Sequence, residues 1–403
     1  MDSNILPFAL QLPPELPFAF SLQALQTCLS TLVDQRSRRG VRYPLAPLLT
    51  LAVCAKLAGQ SRVEALAHWA QLRAPALAQL FGFKRSTMPH PSTWSRVLGH
   101  AVDVTALEQT LSRFFQAQQP LPAAPTRGSR VLVVDGKTVR GTIPFGQTSG
   151  VHLVAAYLPD VGVVLAQMAV AQKDNEIVVV PAVLAEVSLT GMVVVGDAMQ
   201  TQRALSHQIV AAGGDYLWFV KDNQPTLRDE IETLFTPPPV AAGSTAMPTD
   251  FVTAEHIDKG HGRLEVRTLT ASSLLQSYSD WPHLAQVFKL ERTVQRGGGH
   301  TTEVRYGVSS LPVTVASAER LLTMARSGWQ IENGLHYRRD VTLAEDHGHL
   351  RRGTGPQVMA ALNNVVIAVL YQQEDRNLAA LQRRFAYHFE RMLLHLGAAA
   401  SPT

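Results

Sequence analysis

Two carboxylates follow valine-rich runs in this chain of 403 residues, a place where a purely structural charge is unusual. The first run, VLVVD, ends in Asp135, and the second, MVVVGD, ends in Asp197. Short runs of β-branched residues bounded by turn formers predict buried strands. In open α/β sheets, ligands and catalytic groups gather at the carboxyl ends of the strands. We therefore expect the two aspartates to lie on neighbouring strands and to hold a divalent metal ion between them.

A third carboxylate, Glu332, lies far downstream in the string WQIENGLH, which has a helical pattern. Two aspartates and a glutamate suit Mg²⁺, which prefers oxygen ligands and retains several waters. Two such ions about 3.5–4 Å apart can activate a nucleophile and stabilise a leaving oxygen in phosphodiester chemistry. Glu345 is the rival third ligand, unless it pairs with a nearby arginine. We favour Glu332 because an uninterrupted helical pattern runs back from it through Arg326 and provides a rigid mount.

The elements that must position these acids can be located from periodicity. Residues 21–118 have helical spacing of apolar residues, and Gln118–Ser129, rich in Pro, Ala and Gly, predicts a linker. Strand and helix patterns then alternate as far as residue 235, including a helix in EIVVVPAVLAEV despite its valines. This alternation is typical of an α/β fold, a mixed sheet with helices on its faces.

The composition changes after the alternating region. TPPPVAAGSTAMPTD predicts a loop, and four strand patterns joined by Gly-rich turns follow it. Helical patterns then return and continue to the end. We predict four parts: a helical N-terminal domain, the first part of an α/β core that holds the two aspartates, a β-rich insertion, and a helical return that carries the third acid and completes the core. Their predicted bounds are residues 1–125, 126–235, 236–313 and 314–403.

An ordered set of strings surrounds the acids. They are DGKTVRG after the first strand, KDNEI at Lys173–Ile177, GDAMQTQ around Asp197, GGDYLWFVKDNQPTL from Gly213, HGRLEVR from His261, and WQIENGLHYRRDVTLAED from Trp329. In this order they resemble the bacterial insertion-sequence transposases of the ISAs group, also called H-repeat-associated proteins, in the DDE transposase superfamily. The resemblance covers residues 25–375, approximately. Gly328 departs from it, because that family has histidine there.

The resemblance implies a fold and a catalytic triad. The fold would be an RNase H-like mixed-sheet catalytic core with a β-rich insertion between the second aspartate and the glutamate, preceded by a helical N-terminal domain for DNA binding or assembly. The triad would comprise Asp135 in the D-G-K string, Asp197 in D-A-M-x-x-Q and Glu332 in W-x-I-E-N-x-L-H. The expected cofactor is Mg²⁺, for which Mn²⁺ can substitute.

Several residues near the acids are candidates for DNA contacts. Lys221 could hold a phosphate as a point charge, or could be a solvated loop lysine. Trp329 could stack on an unpaired base, or could be a buried helix residue. His336 is four residues after Glu332, so both face one side of a helix, where it could orient the glutamate or touch substrate. The full set of candidate DNA contacts is Lys137, Lys221, Gln224, Arg326, Trp329, His336 and Arg339.

A cluster of arginines lies between two predicted N-terminal helices. It comprises Arg36, Arg38, Arg39 and Arg42. These side chains could grip the DNA backbone, since phosphate contacts position a protein on a duplex. The alternative is an ordinary solvated surface.

The overall composition permits a polyanionic partner without requiring one. The net charge is +4, and the sequence pI is about 9.1. Cys28 and Cys54 lie in apolar helical stretches and suit a reducing compartment, not a disulfide framework. The proline-containing N-terminal stretch has an acid early and does not resemble a secretory signal, and no apolar run has the length of a membrane span. We expect a cytoplasmic, nucleoid-associated bacterial protein with no membrane partner.

These observations together predict a DNA transposase. It would bind double-stranded DNA at the element's ends, hydrolyse a phosphodiester at each end and join the freed 3′-hydroxyls to target DNA through two divalent metal ions. Joining two ends to one target predicts a homodimer or a larger synaptic assembly. One alternative is an RNase H-like nuclease that cuts without strand transfer. Another is a DNA-binding protein that descends from a transposase and has weakened catalysis.

Overall fold

The fold was analysed in a computed structural model of the protein. It describes residues 20–39, 41–118, 126–171, 175–236, 249–260, 262–297, 299–348, 350–373 and 377–397. Residues 1–19, which include the proline-containing N-terminal stretch, lie outside the described residues. Most of the predicted linker, most of the loop after Thr236 and the first two residues of the KDNEI string also lie outside them.

Helices alone form the described part of the chain before the first strand. Their bounds are α1 (Leu22–Leu29), α2 (Leu45–Leu57), α3 (Val63–Gln71), α4 (Ala74–Phe81), α5 (Pro91–His100) and α6 (Val104–Gln118). All residues of α2 are buried, including Lys56. Helix α2 is therefore the centre of this bundle, and α1 and α3 pack against it.

A single mixed sheet follows. Its strands are β1 (Arg130–Val139), β2 (Val151–Leu158), β3 (Val163–Val170), β4 (Met192–Gly196), β5 (Asp215–Val220), β6 (Val252–Gly260), β7 (Arg263–Ser272), β8 (Gln286–Arg296) and β9 (Gly299–Ser309). Their order across the sheet is β3-β2-β1-β4-β5-β9-β8-β7-β6. The first three strands are antiparallel neighbours, and β1, β4 and β5 run parallel. The predicted α/β class with an RNase H-like mixed sheet is confirmed.

The remaining helices pack around the sheet or follow it. They are α7 (Glu176–Ala185), α8 (Arg203–Ala211), α9 (Pro225–Phe235), α10 (Ala318–Ser327), α11 (Gly355–Tyr371), α12 (Leu378–Tyr387) and α13 (Phe389–His395). The valine-rich segment predicted as helical is α7. No helix among these or the other described segments is long and apolar enough to cross a membrane.

The β-rich insertion lies where it was predicted, between Asp197 and Glu332, and it extends the core sheet. Strand β9 pairs antiparallel with β5, from Leu217 with Ser309 to Val220 with Tyr306. Strands β8, β7 and β6 then continue the same sheet outward. The predicted division near residue 236 therefore separates segments of the chain that share one sheet.

The segment that carries Glu332 differs from the expected uninterrupted helix. Helix α10 ends at Ser327, and a turn follows at Gly328, a residue with low helix propensity. Two π-helical segments then follow, Glu332–His336 and Arg338–Thr342. Such wide turns are rare in proteins and frequently occur at functional sites. Glu332 is thus carried by this π-helical stretch, residues 332–342, which we call the wide helix. The wide helix is separate from α10 and has its own anchor.

That anchor is an ion pair inside the protein. Arg339 is 1% exposed, and its Nε and Nη2 donate to the Glu345 carboxylate over 2.7–3.0 Å. The Arg339 Nη1 also donates to Gln167 Oε1 on β3, at 3.2 Å. Asn363 Nδ2 on α11 donates to the same Glu345 carboxylate, at 2.7 Å. The wide helix is therefore bound to the sheet and to α11 at once.

The same polar network reaches the N-terminal bundle. Lys56 Nζ on α2 donates to Asn363 Oδ1 at 2.8 Å, and burial lowers the pKa of Lys56 to about 8. Gln167 Nε2 donates to Glu108 Oε1 on α6 at 2.9 Å, and burial raises the pKa of Glu108 to about 7. Buried polar groups are tolerated when they are hydrogen-bonded to one another. The network thus fixes the bundle against the sheet.

Substitution of one member of the central ion pair should be costly. Arg339→Met leaves the Glu345 carboxylate buried without its cation, and breaking a buried pair typically costs about 3–5 kcal/mol. We expect a loss of that order in the free energy of unfolding, measured by urea denaturation. Arg383→Met, at an exposed position of α12, is the matched control and should change little. Equal effects of the two substitutions would show that the buried pair does not stabilise the fold.

Candidate active site

The first two predicted acids lie on adjacent parallel strands. The pairing of β1 with β4 ends at Val133 with Val195, and Asp135 and Asp197 each follow two residues later. The prediction of neighbouring strands is therefore confirmed. One detail was wrong: Asp135 does not end its strand, because β1 continues to Val139 in antiparallel pairing with β2. The site lies where β4 ends, so that β1 continues with β2 as its neighbour and without a partner on the β4 side.

A tight turn fixes Asp197. Its Oδ1 accepts a hydrogen bond from the Met199 backbone N–H at 3.0 Å, which begins a short 3₁₀ turn. The loop after β5 binds that turn, since Asn223 Nδ2 donates to the Ala198 carbonyl at 2.7 Å. Gln224 Nε2 likewise donates to the Thr201 carbonyl at 2.9 Å. These bonds bring the β5 loop next to the second aspartate.

The wide helix brings the third acid to the same place. Glu332 Oε2 lies 3.1 Å from His336 Nδ1, and Asp135 Oδ2 lies 3.7 Å from the same nitrogen. Ligand atoms of Asp135, Glu332 and His336 all lie within 4.8 Å of one another. The three residues thus form a compact cluster of possible metal ligands.

A cavity of about 250 Å³ unites the acids. Asp135, Asp197 and Glu332 all line it, together with Lys221 and Trp329. Glu345 does not line this cavity, because it is buried against Arg339. Although burial alone raises the pKa of Glu345, Arg339 and the hydrogen bonds from Arg339 and Asn363 lower it overall. Of the two rival glutamates, the structure therefore places Glu332 beside the aspartates.

Crowding of carboxylates changes their acidity. The pKa of Asp135 is raised to about 7, mainly by burial and also by the charges of Glu176, Asp197 and Glu332, while a hydrogen bond from the Gly136 N–H opposes the rise. Burial and the charge of Glu176 also raise the pKa of Asp197. A charged group avoids an environment of low polarity and like charge. A divalent cation bound among these oxygens would relieve that repulsion.

The donor set fits a hard divalent cation. Carboxylate oxygens are the ligands that Mg²⁺ prefers, and the cavity leaves space for water. His336 is 4% exposed, and burial lowers its pKa to about 3, helped by the cations Arg339 and Lys137. A neutral imidazole can donate one N–H to the Glu332 carboxylate and so orient it. Asp135 and Glu332 contribute oxygens to the compact cluster, while Asp197 lines the same cavity outside that cluster.

Glu176 is a fourth acid of the site that was not among the predicted site residues. It begins α7, and its Oε1 lies 2.9 Å from His152 Nε2 while Gln200 Nε2 donates to its Oε2 at 3.3 Å. Its charge raises the pKa of both aspartates. The KDNEI string contained this residue, but periodicity alone does not reveal that a helix start reaches across to β1.

Two glycines of the motif strings permit close packing around the acids. A Cβ at Gly136 would lie 2.1 Å from Glu176 Oε1, so only glycine lets that carboxylate approach β1. A Cβ at Gly334 would lie 2.4 Å from the Tyr157 hydroxyl of β2. The wide helix therefore rests directly on the sheet at Gly334, which sets the depth of Glu332.

Four of the predicted DNA contacts remain accessible to a ligand. Lys221 is exposed and lines the cavity, and Trp329 is half-buried there. Gln224 is half-buried and bound to the turn after Asp197, and Arg326 Nη2 donates to Asp258 Oδ2 on β6 at 2.9 Å. Their roles toward DNA stay predictions.

Three other predicted DNA contacts are buried, which is a correction. Lys137 is 8% exposed, and its Nζ lies 2.6 Å from the Asp340 carboxylate. His336 faces Glu332, and Arg339 faces Glu345. These side chains support the site from within, because their polar ends point at protein carboxylates. Lys137 and Arg339 are buried against Asp340 and Glu345, carboxylate partners that local periodicity does not predict.

Arg305 is an additional cation at the cavity that sequence reasoning missed. It lies on β9 of the insertion and lines the cavity with the three acids. Its guanidinium carbon lies 5.2 Å from the ring centroid of Trp329 and 5.9 Å from that of Phe219. The insertion therefore contributes directly to the site, through a strand that is far from the acids in sequence.

The pKa of Asp135 predicts a pH dependence of stability without metal. The folded pKa is about 7, above the ordinary value of 3.8, so the folded state holds the extra proton between those values. Stability should therefore fall as pH rises through that window. Thermal unfolding in a chelator, compared at about pH 5 and about pH 8, should show a smaller decline for Asp135→Asn than for the natural protein. Asp229→Asn, at an exposed position of α9, is the control and should show the same decline in stability with pH as the natural protein. If Asp135→Asn also showed the natural decline, the pKa of Asp135 would not be raised by its surroundings.

Comparison with protein families adds an independent finding. The family model described as "Transposase DDE domain" matches residues 126–368, and the one described as "DDE_Tnp_1-associated" matches residues 26–115. Together they span the bundle and the sheet, with the acids inside the first match.

Similar proteins cover most of the chain. "Putative transposase YncI" of Escherichia coli O157:H7 is 28% identical over 365 residues, 88% of this chain and 89% of that protein. "H repeat-associated putative transposase YhhI" of Escherichia coli K12 is 26% identical, over 87% of this chain and 90% of that protein. The "Uncharacterized protein in dhlA 3'region" of Xanthobacter autotrophicus is 30% identical over 66% of this chain and 88% of that protein. The resemblance to H-repeat-associated transposases is confirmed.

One solved structure is distantly similar. The cryo-EM structure of the piggyBac transposase synaptic complex with hairpin DNA covers 95% of this chain and 79% of that chain, at a TM-score of 0.38 and 10% identity. The family model, by contrast, matches more than half of this chain. The chain therefore belongs to the DDE-domain transposase family.

Proposed function

We propose that this protein is a metal-dependent DNA transposase whose single acidic site both cleaves and joins DNA. The observation that carries the proposal is the cavity lined by Asp135, Asp197 and Glu332 in a chain of the DDE transposase family. Hydrolysis at an element end and attack by the freed 3′-hydroxyl on target DNA are both in-line displacements at phosphorus. One site can therefore serve both steps.

The three acids would hold Mg²⁺, with Mn²⁺ able to substitute. Two such ions would activate the attacking oxygen and stabilise the leaving oxygen. Asp197 is held by its turn, and Glu332 is held by His336. Ligands fixed in this way lose little freedom when the substrate binds, which is the main contribution that a protein makes to phosphoryl transfer.

The surroundings of the acids suit a nucleic-acid substrate. Lys221 places positive charge at the cavity, where it can neutralise a backbone phosphate, and Arg305 could do the same by exchanging its partner Glu303 for a phosphate. Trp329 could stack on an unpaired base near the cleaved bond. Arg326 could exchange its Asp258 partner for a phosphate, since the Asp258 carboxylate also binds Arg267.

The partners follow from the reaction. Two element ends must meet one target, so we propose a homodimer or a larger synaptic assembly on double-stranded DNA. Action on chromosomal DNA would place the protein at the nucleoid. A nuclease that cuts without joining would use the same acids. Strand transfer with pre-cleaved ends separates these possibilities, because a nuclease would yield no joined product.

The choice of third acid has a direct test. Glu332→Gln should abolish Mg²⁺-dependent cleavage, because it removes a charged ligand at the cavity. Glu345→Gln leaves Arg339 buried without its counter-ion and should lower stability, but the folded variant should keep much of the cleavage, measured on an element-end duplex at fixed salt and metal with folding checked by circular dichroism. The opposite pattern would assign the third role to Glu345 and would leave the two aspartates in place.

A binding measurement on catalytic variants separates chemistry from recognition. Asp135→Asn and Asp197→Asn should each abolish cleavage but keep nearly natural affinity for end DNA, because binding rests on cationic contacts to phosphate. Loss of affinity in both variants, with the natural circular dichroism spectrum retained, would contradict that division.

A further inference from the structure

A basic groove lies in the N-terminal helical bundle, lined by residues distinct from those of the active-site cavity. It encloses about 830 Å³ between residues 35–39 and 41–43 on one side and helix α5 on the other. Its basic side chains are those of Arg36, Arg39, Arg42, His90, Arg96 and His100. No aspartate or glutamate is among the described residues that line it.

Most of the positive charge in the groove is free for a ligand. Arg36 is committed, since its Nη2 lies 2.6 Å from Asp34 Oδ2. Arg39, Arg42 and Arg96 are exposed, and within the described ranges of the chain none of them forms an ion pair. Arg96 Nε donates to the carbonyl of Ser92 at 3.3 Å, which holds its guanidinium along α5. Exposed cations without partners favour a polyanion.

The net positive charge of the chain is also concentrated in the helical bundle. Residues 20–118 contain 11 lysines and arginines but four aspartates and glutamates, a net charge of +7, whereas the whole chain has +4. The rest of the chain is therefore net negative. Such asymmetry attracts a polyanion to the bundle and explains why the total charge underestimates the basic surface.

The groove also borders the catalytic part of the chain. The loop after the wide helix packs on the end of α5, where a Cβ at Gly353 would lie 2.1 Å from the Gly99 carbonyl and 2.9 Å from His100 Nδ1. That loop carries Arg351 and Arg352, both exposed. The basic surface therefore continues from α5 onto the core.

We propose that this groove binds the phosphate backbone of duplex DNA, as a second DNA site beside the active-site cavity. The inference rests on the proposed function for the choice of DNA as partner. Binding of single strands uses exposed aromatic platforms, but the aromatic residue in the groove, Tyr43, is buried with its hydroxyl bound to the Thr87 carbonyl at 3.0 Å. Arginines without such platforms suit backbone contacts, which position a duplex without reading its sequence.

The test is a binding titration of a short duplex of arbitrary sequence, in a chelator so that no cleavage occurs. The variant combines Arg39→Ala, Arg42→Ala and Arg96→Ala. Each lost phosphate contact should reduce the slope of log affinity against log salt by about 0.9, so the triple variant should lose about 2.7 in slope. The matched control combines Arg113→Ala, Arg296→Ala and Arg383→Ala, exposed residues outside the groove, and changes the net charge equally.

The outcomes are distinct. The proposal would be overturned if the groove variant kept the natural slope of log affinity against log salt, or if the control lost as much slope as the groove variant. Stronger binding of single-stranded RNA than of the duplex would also overturn it. Arg→Lys at the three groove positions should restore most affinity, because lysine still offers a point charge to phosphate.

If the triple variant misfolds, Arg96→Ala against Arg113→Ala gives the same comparison, since both arginines donate Nε to the carbonyl four residues earlier. The titration needs no catalysis, so inactive Asp135→Asn protein that binds normally would separate failure of the chemistry from failure of the groove.

Discussion

The structure depends on the ion pair between Arg339 and Glu345, because it holds the segment that carries the third acid. Removing two charges from water is expensive, and the cost is offset only where geometry and further hydrogen bonds are favourable. Here Gln167 and Asn363 supply those bonds from the sheet and from α11. The wide helix is thus fixed to the sheet and to α11 through Arg339, two turns after Glu332. This anchor keeps Glu332 facing the strands.

Repulsion among the carboxylates of the active site destabilises the fold and partly offsets this stabilisation. Parallel pairing of β1 and β4 places Asp135 and Asp197 side by side, and the wide helix adds Glu332. Glu176 adds a fourth carboxyl group, which Gly136 admits. Like charges at close range raise the pKa of the aspartates, and the fold tolerates that repulsion because the surrounding core and polar network over-determine the positions. Proteins commonly place such locally unfavourable arrangements where function requires them.

Charge is divided between two regions with different tasks. The sheet edge concentrates carboxylates, while the helical bundle concentrates unpaired arginines beside α5. The network through Lys56 and Glu108 joins these regions, so a duplex held at one would be fixed relative to the other. Strand β9 adds Arg305 to the rim of the cavity, which gives the β-rich insertion a part in the same arrangement.

The sequence by itself determined the strands, their acids and the fold class, because buried strands and turns are encoded by local patterns. Asp135 and Asp197 were predictable since parallel strands present their carboxyl ends at one edge. The sequence also favoured Glu332 over Glu345, but tertiary structure alone decided how Glu332 is mounted, that Glu176 approaches, and that Lys137 and Arg339 are buried. Those outcomes depend on wide helical turns, on a contact at Gly334 and on long-range hydrogen bonds. Local periodicity contains no information about partners that are far away in the chain.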